Sequence, residues 1–218
     1  MTTPCLGLPS PMLDTRRSGL LVVLEGIDGA GTTTQARRLQ QTLTKEGRDC
    51  HLTKEPSTGP VGRLLREILT GKHAPTDATT LGLLFAADRA DHLQREVLPA
   101  LARGAVVISD RWYHSSLAYQ GTDEDRRWIR ELNRRARAPE LTVFVDVRPE
   151  VAAERRRLAN REDELFDAIE TQTRVAIGYK KAIEWLKDHE HIVTIDGERS
   201  LDEIESEILR LVRENLPD

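Results

Sequence analysis

Four short apolar runs, at 20–24, 105–108, 141–147 and 191–195, set the narrowest limits on how this 218-residue chain can fold. They are rich in Val, Ile and Leu, and most do not alternate with polar residues. Such runs read as strands buried on both faces, the pattern of a parallel sheet covered by helices on each side. A fifth, weaker run spans 50–53. Between the runs, apolar residues recur at helical spacing. Helices are expected over 32–46, 61–69, 77–102 with a kink at Pro99, 125–136, 149–158, 164–187 and 201–215. Gly47, Gly71 and Gly104 stand just past three of them, where helix ends favour glycine. The alternation predicts an α/β fold, a right-handed, doubly wound five-stranded parallel sheet.

Composition narrows the function classes. Hydrophobic residues make up 39% and charged residues 31%, a mix that builds a packed core. Net charge is −4, which argues against a basic sleeve for nucleic acid. Arg126, Arg127, Arg130, Arg134, Arg135 and Arg137 cluster on one expected helix and read as a solvated face, since no aromatic platform is interleaved with them. The two cysteines, Cys5 and Cys50, cannot build a disulfide framework, which fits a reducing cytoplasm. No apolar run approaches the roughly 20 residues that cross a bilayer, so no membrane partner is expected. Residues 1–18 contain three prolines and read as a flexible extension rather than a secretory leader, ahead of a single domain over 19–218.

The first strand runs into Gly26-Ile27-Asp28-Gly29-Ala30-Gly31-Thr32-Thr33-Thr34-Gln35 and then a helix. Strand, glycine loop and helix in this order let backbone N–H groups and a helix N-terminus converge on an anion. Gly26 and Gly31 have the spacing of a phosphate-binding loop, and Thr33 occupies the position whose hydroxyl reaches Mg²⁺. The lysine that normally precedes that hydroxyl is absent, and Thr32 stands there. Such a cation sits on the β- and γ-phosphates. A comparable arginine finger contributes about 10³–10⁵ in rate. Arg111, Arg155, Arg156, Arg157 and Arg161 are the candidates to replace its charge.

The strong strands also end in carboxylates, Glu25, Asp110, Asp146 and Asp196. Ligands of open parallel sheets bind outside the carboxyl ends of the strands. Asp equally favours turns, and both readings stand for Asp146 and Asp196.

Three further segments complete a resemblance. They are Leu84-Phe85-Ala86-Ala87-Asp88-Arg89, Thr53-Lys54-Glu55-Pro56, and Asp110-Arg111 followed through Ser115-Ser116-Leu117-Ala118-Tyr119-Gln120-Gly121. With the glycine loop, they make most of Leu20–Leu211 resemble thymidylate kinase, a nucleoside-monophosphate kinase of the P-loop NTPase class. The resemblance implies transfer of the γ-phosphoryl group of ATP to dTMP with Mg²⁺, in a cytoplasmic homodimer. It implies that residues Gly26 to Thr34, with Arg155, Arg156 and Arg157, hold ATP. Asp28, Arg111 and Arg161 would be catalytic, and Arg161 would belong to a short basic lid near 155–164. Glu55, Pro56, Phe85, Arg89, Arg111, Ser115, Ser116, Tyr119 and Gln120 would hold dTMP. Thr33 and Asp110 would hold Mg²⁺, in part through water.

Read without the resemblance, Phe85 belongs to the core, Tyr119 is ordinary packing, and Arg89 pairs with Asp88 or Asp91 on the surface. His189 and His191 read as surface residues. Ser57-Thr58-Gly59 replaces the family's glycine pair, and Trp112 replaces a smaller ring, which is expected to reshape the sugar pocket. Two other functions follow from these departures: a catalytically silent nucleotide-binding homologue, or a kinase for a different monophosphate.

Overall fold

The computed structural model describes residues 19–74, 76–122, 124–159, 165–166 and 168–217. The expected extension over 1–18 and Arg161 lie outside them. Five strands form one parallel sheet: β1 (Leu20–Glu25), β2 (Cys50–Lys54), β3 (Val106–Asp110), β4 (Leu141–Asp146) and β5 (Ile192–Asp196). Their order is β2-β3-β1-β4-β5. β1 is central. It pairs with β3 from Leu20↔Val106 to Leu24↔Asp110, and with β4 from Val22↔Leu141 to Glu25↔Phe144.

Every residue of β1 is buried, which is why its run shows no polar alternation. Leu20, Val22 and Leu24 enter one core layer, and Leu21 and Val23 enter the other. The first layer takes Leu39 and Leu43 of α1 (Thr32–Lys45), Ala152 of α7 (Pro149–Leu158), and Ile204, Ile208 and Val212 of α9 (Leu201–Glu214). The second takes Leu101 of α4 (Leu98–Ala102), Leu117 of α5 (Tyr113–Tyr119) and Ile129 of α6 (Arg126–Leu132). The long α8 (Ile169–Leu186) serves both layers, through Val175 and Tyr179 and then Ala182 and Leu186. Two further helices, α2 (Pro60–Leu69) and α3 (Ala78–His92), lie between β2 and β3 in the chain.

Several expectations shift. The helix expected over 77–102 is two helices, α3 and α4, joined by a π turn at Leu93–Val97. Pro99 has no N–H to give the carbonyl four residues earlier, and the wider turn falls just before it. Helix α5 was not foreseen. Six of its seven residues are buried, so it carries no polar face to betray its period. Helix α6 stops at Leu132 rather than 136, and α8 begins at Ile169 rather than 164. In α9 the stripe Ile204, Ile208, Leu211 and Val212 is buried as expected, but Leu201 is exposed.

At the carboxyl edge of the sheet the connections diverge: β1 leads towards β2, whereas its neighbour β4 leads out to β5. That edge gathers Glu25, Asp110 and Asp146. Asp146 lies 3.4 Å from Lys180, and Asp196 accepts the Glu198 N–H at 2.9 Å, a turn contact. Among the described residues, no helix is long and apolar enough to cross a membrane.

Helices α5 and α8 meet closely because Gly178 has no side chain. A Cβ there would lie 2.4 Å from the Ala118 carbonyl oxygen, which is backbone and cannot swing aside. Gly178→Ala should therefore lower unfolding stability by about 1–3 kcal/mol, read as a reduced guanidinium midpoint. An unchanged midpoint would mean that the two helices slide apart freely.

Candidate active site

The turn after β1 is shaped by two glycines in the left-handed region, Gly29 (φ +93°) and Gly31 (φ +97°). A Cβ on Gly29 would stand 2.4 Å from the Ala152 carbonyl of α7, so the loop can pack there only as glycine. Gly31 caps α1 without a side-chain bond, so the first N–H groups of that helix have no capping side chain. Thr33 and Thr34 follow, exposed, and Thr32 is buried. An open helix start beside a glycine loop is a ready anion site.

This start opens onto a cavity of about 810 Å³, large enough for a substantial ligand. Asp28, Gly29, Gly31, Thr32, Thr33 and Thr34 line it. Gly26, Ile27 and Ala30 do not, and Ile27 and Ala30 bury their side chains in the core. At the other end lie Glu55, Pro56, Phe85, Arg89, Ser116, Tyr119 and Gln120. Nearly all the residues expected to hold the two nucleotides thus share one cavity. Arg155 and Arg156 also reach it. Their guanidinium groups donate to loop carbonyls, Arg155 to Ala30 and to Gly197, and Arg156 to Asp28. Arg157 does not line the cavity; its side chain is exposed and lies 4.0 Å from Glu154.

Arg111 stands between the two ends. Its backbone is left-handed (φ +79°), which is uncommon outside glycine. The conformation is pinned from both sides. The Arg111 N–H donates to the Leu24 carbonyl (3.0 Å), and the Arg111 carbonyl accepts from the Ser109 hydroxyl (2.7 Å). The guanidinium donates to the Gly26 carbonyl (3.0 Å), to Asp28 Oδ1 (2.7 Å) and to the Ser115 hydroxyl (3.3 Å). Asp28 Oδ2 in turn accepts from Tyr119 (2.8 Å) and Gln172 (2.9 Å). Burial of Tyr119, with the Asp28 charge beside it, pushes its hydroxyl far above the ordinary tyrosine range, so it stays a donor.

Helix α3 fixes the opposite wall through two neighbouring residues. Asp88 accepts the Ser57 N–H (2.8 Å) and hydroxyl (2.6 Å), and Arg89 donates to Glu55 from Nε (2.8 Å) and Nη2 (2.5 Å). Arg89 also donates to Ser116 (3.2 Å) and to Asn133. The surface pair expected with Asp88 or Asp91 is therefore not formed. Arg89 is 2% exposed and its partner Glu55 lies 34 residues away. Phe85 is corrected in the other direction: it is half-buried on the cavity wall rather than in the core. Trp112 is fully buried in the second core layer and does not line the cavity, so it reshapes no sugar pocket. Ser57 supplies a hydroxyl tether to Asp88 that glycine lacks. His189 and His191 are exposed, as read.

Several lining residues escaped the sequence reading: Arg37, Arg66, Phe166, Arg199 and Leu201. Phe166 packs edge-on against Tyr119 at 5.4 Å, and its only signal was an aromatic beside a polar break. Eight basic side chains border the cavity against three carboxylates. Arg37 and Lys54 have no ion-pair partner among the described residues. The arginines near α6 are engaged locally: Arg126 with the Leu117 and Gly121 carbonyls, Arg130 over the Trp185 ring, and Arg134 with Glu131.

Asp110 Oδ2 accepts the Thr33 hydroxyl at 2.5 Å, whereas Asp110 Oδ1 is buried without a hydrogen-bond partner among the described residues. A carboxylate oxygen in that state faces a cost of roughly 1–3 kcal/mol unless something else satisfies it.

The Arg89–Glu55 pair has both side chains 3% exposed. Glu55→Gln leaves a buried guanidinium without its counter-charge and should cost about 3–5 kcal/mol of unfolding free energy. Urea titration of the variant checks this, and a loss under about 1 kcal/mol would place the pair in effective contact with water.

The comparisons with known proteins agree with this geometry. The thymidylate kinase family model matches residues 24–208. A probable thymidylate kinase of Pyrococcus abyssi is 37% identical over 91% of this chain and 98% of its own. One of Thermococcus gammatolerans is 38% identical over the same shares. A thymidylate kinase of Synechococcus sp. is 43% identical over 75% of this chain and 82% of its own. With phosphate loop, strand-end Asp-Arg and α3 wall brought to one cavity, and these matches spanning most of its length, the chain belongs to the thymidylate kinase family.

Proposed function

We propose that the chain transfers the γ-phosphoryl group of ATP to dTMP, giving dTDP and ADP. The observation that carries this reading is Arg111, whose guanidinium joins the phosphate loop at Gly26 and Asp28 to the opposite end of the cavity at Ser115. Phosphoryl transfer demands little covalent chemistry from a protein. It needs two anions held in line, and neutralisation of the charge that spreads over the transferring group.

The open start of α1 would hold the β- and γ-phosphoryl oxygens through backbone N–H groups. Arg155 and Arg156, anchored on the loop carbonyls, bring guanidinium charge to the side where Thr32 replaces a lysine. Arg161, expected to join them, lies outside the described residues. Arg111 would receive the dTMP phosphate, with Ser115 beside it. The ring of Phe85, half-buried on the wall, offers a flat face to the thymine. Arg89 sits close behind Ser116, held by Glu55, and gives that end of the pocket a fixed donor. Tyr119 and Gln120 complete it. Closing these groups around both nucleotides excludes the water that would otherwise take the phosphoryl group.

The residues present fit a magnesium ion. Thr33 and Asp110 offer only hard oxygen donors, and Asp110 Oδ1 is a buried carboxylate oxygen with no hydrogen-bond partner among the described residues. Thr33 and Asp110 would hold the ion, which would supply neutralisation of negative charge on the phosphoryl groups. Exposed Leu64 and Leu83, on the neighbouring helices α2 and α3, support the family's homodimeric assembly.

A coupled assay with ATP and a panel of nucleoside monophosphates tests the reading. Turnover of dTMP above the other monophosphates is expected, and absence of dTMP turnover would end it. Arg111→Ala should lower kcat/KM for dTMP by roughly tenfold or more, the scale of one lost bidentate, charge-assisted contact. A variant as active as the unaltered chain would remove Arg111 from the acceptor site.

A further inference from the structure

Behind Arg111, out of reach of the cavity, lies a buried charged cluster that the reaction as described does not use. Glu25, 1% exposed, ends β1 immediately before the glycine loop. Its Oε1 accepts the Trp112 N–H (2.7 Å) and the Ser115 N–H (3.3 Å). Its Oε2 accepts the Ser115 hydroxyl (2.6 Å) and the Tyr179 hydroxyl (2.8 Å). This one carboxylate therefore holds the backbone directly after the strained Arg111. It also holds two hydroxyls, Ser115 and Tyr179, that themselves accept from the Arg111 guanidinium (3.3 and 3.1 Å).

The ring of His114, 1% exposed, lies between two carboxylates. Nε2 is 2.9 Å from Glu190 Oε2, and Nδ1 is 3.6 Å from Glu25 Oε1. A neutral ring would aim a lone pair at one of them; a doubly protonated ring faces both as a cation. The other charged or titratable neighbours are Tyr113, stacked on the ring at 4.3 Å, and Arg130 of α6, 3.8 Å from Glu190 Oε1. Resting on the dTMP kinase reading above, we propose that His114, which touches no substrate, is a positioning residue. Its positive charge holds Glu25, and through Glu25 the Arg111 turn, in the geometry that receives the acceptor phosphate.

The charges explain why a cation is needed there. Burial favours the neutral form of Glu25, but His114, Arg111 and the Ser115 hydroxyl outweigh it and hold the carboxyl below its ordinary range. Burial likewise works against the charged ring of His114. The hydrogen bond to Glu190 and the Glu25 carboxylate overcome it, and the ring keeps its proton above the usual histidine range. Without that proton Glu25 draws on Arg111 as its nearest remaining cation. The guanidinium is then committed to the protein rather than to an incoming dianion. Because the folded ring binds its proton more tightly than a free histidine, the supporting charge is fully present below the ordinary histidine range. It is lost only as pH rises through the raised titration.

Kinetics with dTMP as the varied substrate test this. In the unaltered chain, KM for dTMP should rise as the pH climbs through the His114 titration, with KM for ATP unmoved. The second ionisation of the substrate phosphate, at about 6, lies on the other side and does not mimic this limb. His114→Gln, which keeps a hydrogen bond to Glu190 but no charge, should raise KM for dTMP roughly tenfold on the acid side of that titration. It should also abolish the alkaline limb. A merely structural histidine would leave that limb in place. NMR titration of the His114 ring in the unaltered chain gives an independent reading should the variant fail to fold. By reciprocity, bound dTMP should move its titration upward by about 1 pH unit. A variant with the unaltered KM and limb, or a ring that titrates identically with and without dTMP, overturns the inference while leaving the kinase reading intact. Absence of dTMP turnover by the unaltered chain removes that reading, and this inference with it.

Discussion

The Glu25 carboxylate sits at the end of the central strand, where the sheet is driest, and the arrangement of the site follows from how its charge is met. An isolated carboxylate in such a place would take up a proton rather than stay ionised. Here it accepts from two backbone N–H groups and two hydroxyls, with the His114 ring close by. The bonds span β1, the turn after β3, and α8. They therefore fix the relative placement of the three segments that carry the glycine loop, Arg111 and Tyr179. A left-handed arginine persists only where its surroundings over-determine it. The Leu24 carbonyl, the Ser109 hydroxyl and Glu25 supply that constraint on consecutive backbone groups.

Two kinds of support meet across the cavity. The loop side relies on backbone: glycines admit close approach to α7, and the helix start has no capping side chain. The α3 side relies on buried charge, with Asp88 tethering Ser57 and Arg89 tethering Glu55. The first tolerates any anion that fits, since amide hydrogens read charge and not identity. The second is rigid and directional, because the guanidinium fork is already filled on one edge by Glu55 and leaves a defined remainder. On the proposed function, selectivity for the acceptor would rest with α3 and α5, and affinity for phosphate with the loop.

The sheet was legible in the sequence because its buried strands β1, β3 and β4 are local signals, short runs dominated by Val, Ile and Leu. The glycine loop was legible because its chemistry is contiguous. What escaped was nonlocal or lacked a period. Helix α5 is buried nearly all round and so shows no stripe. The Arg89–Glu55 pair joins residues 34 apart, and the nearer carboxylates Asp88 and Asp91 are the natural but mistaken partners. Phe85 lies on an apolar helix face that borders a cavity rather than the core, and no pattern of spacing separates those two cases. Glu25 read only as one of four strand-end acids. Its distinction, complete burial with four hydrogen-bond donors, depends on α5 and α8 closing over it.

The absent lysine fits the same logic. A lysine at position 32 would place one compact, mobile charge beside the phosphates. In this chain the helix begins with a buried threonine, and positive charge reaches the loop from outside it. Arg155 and Arg156 both project from α7 onto the carbonyls of Ala30 and Asp28. Guanidinium groups have five donors each, so bonds to the loop leave others directed elsewhere. Their placement depends on α7 lying against the loop, and that contact exists only because Gly29 has no Cβ to collide with Ala152. The guanidinium charge beside the loop is therefore tied to a packing contact between residues 123 apart in the chain, Gly29 and Ala152, rather than to the rotamer of a single side chain. It is spread around a rim where eight basic groups face three acids. Such a rim is less dependent on any one ammonium than a loop whose only cation is its own lysine.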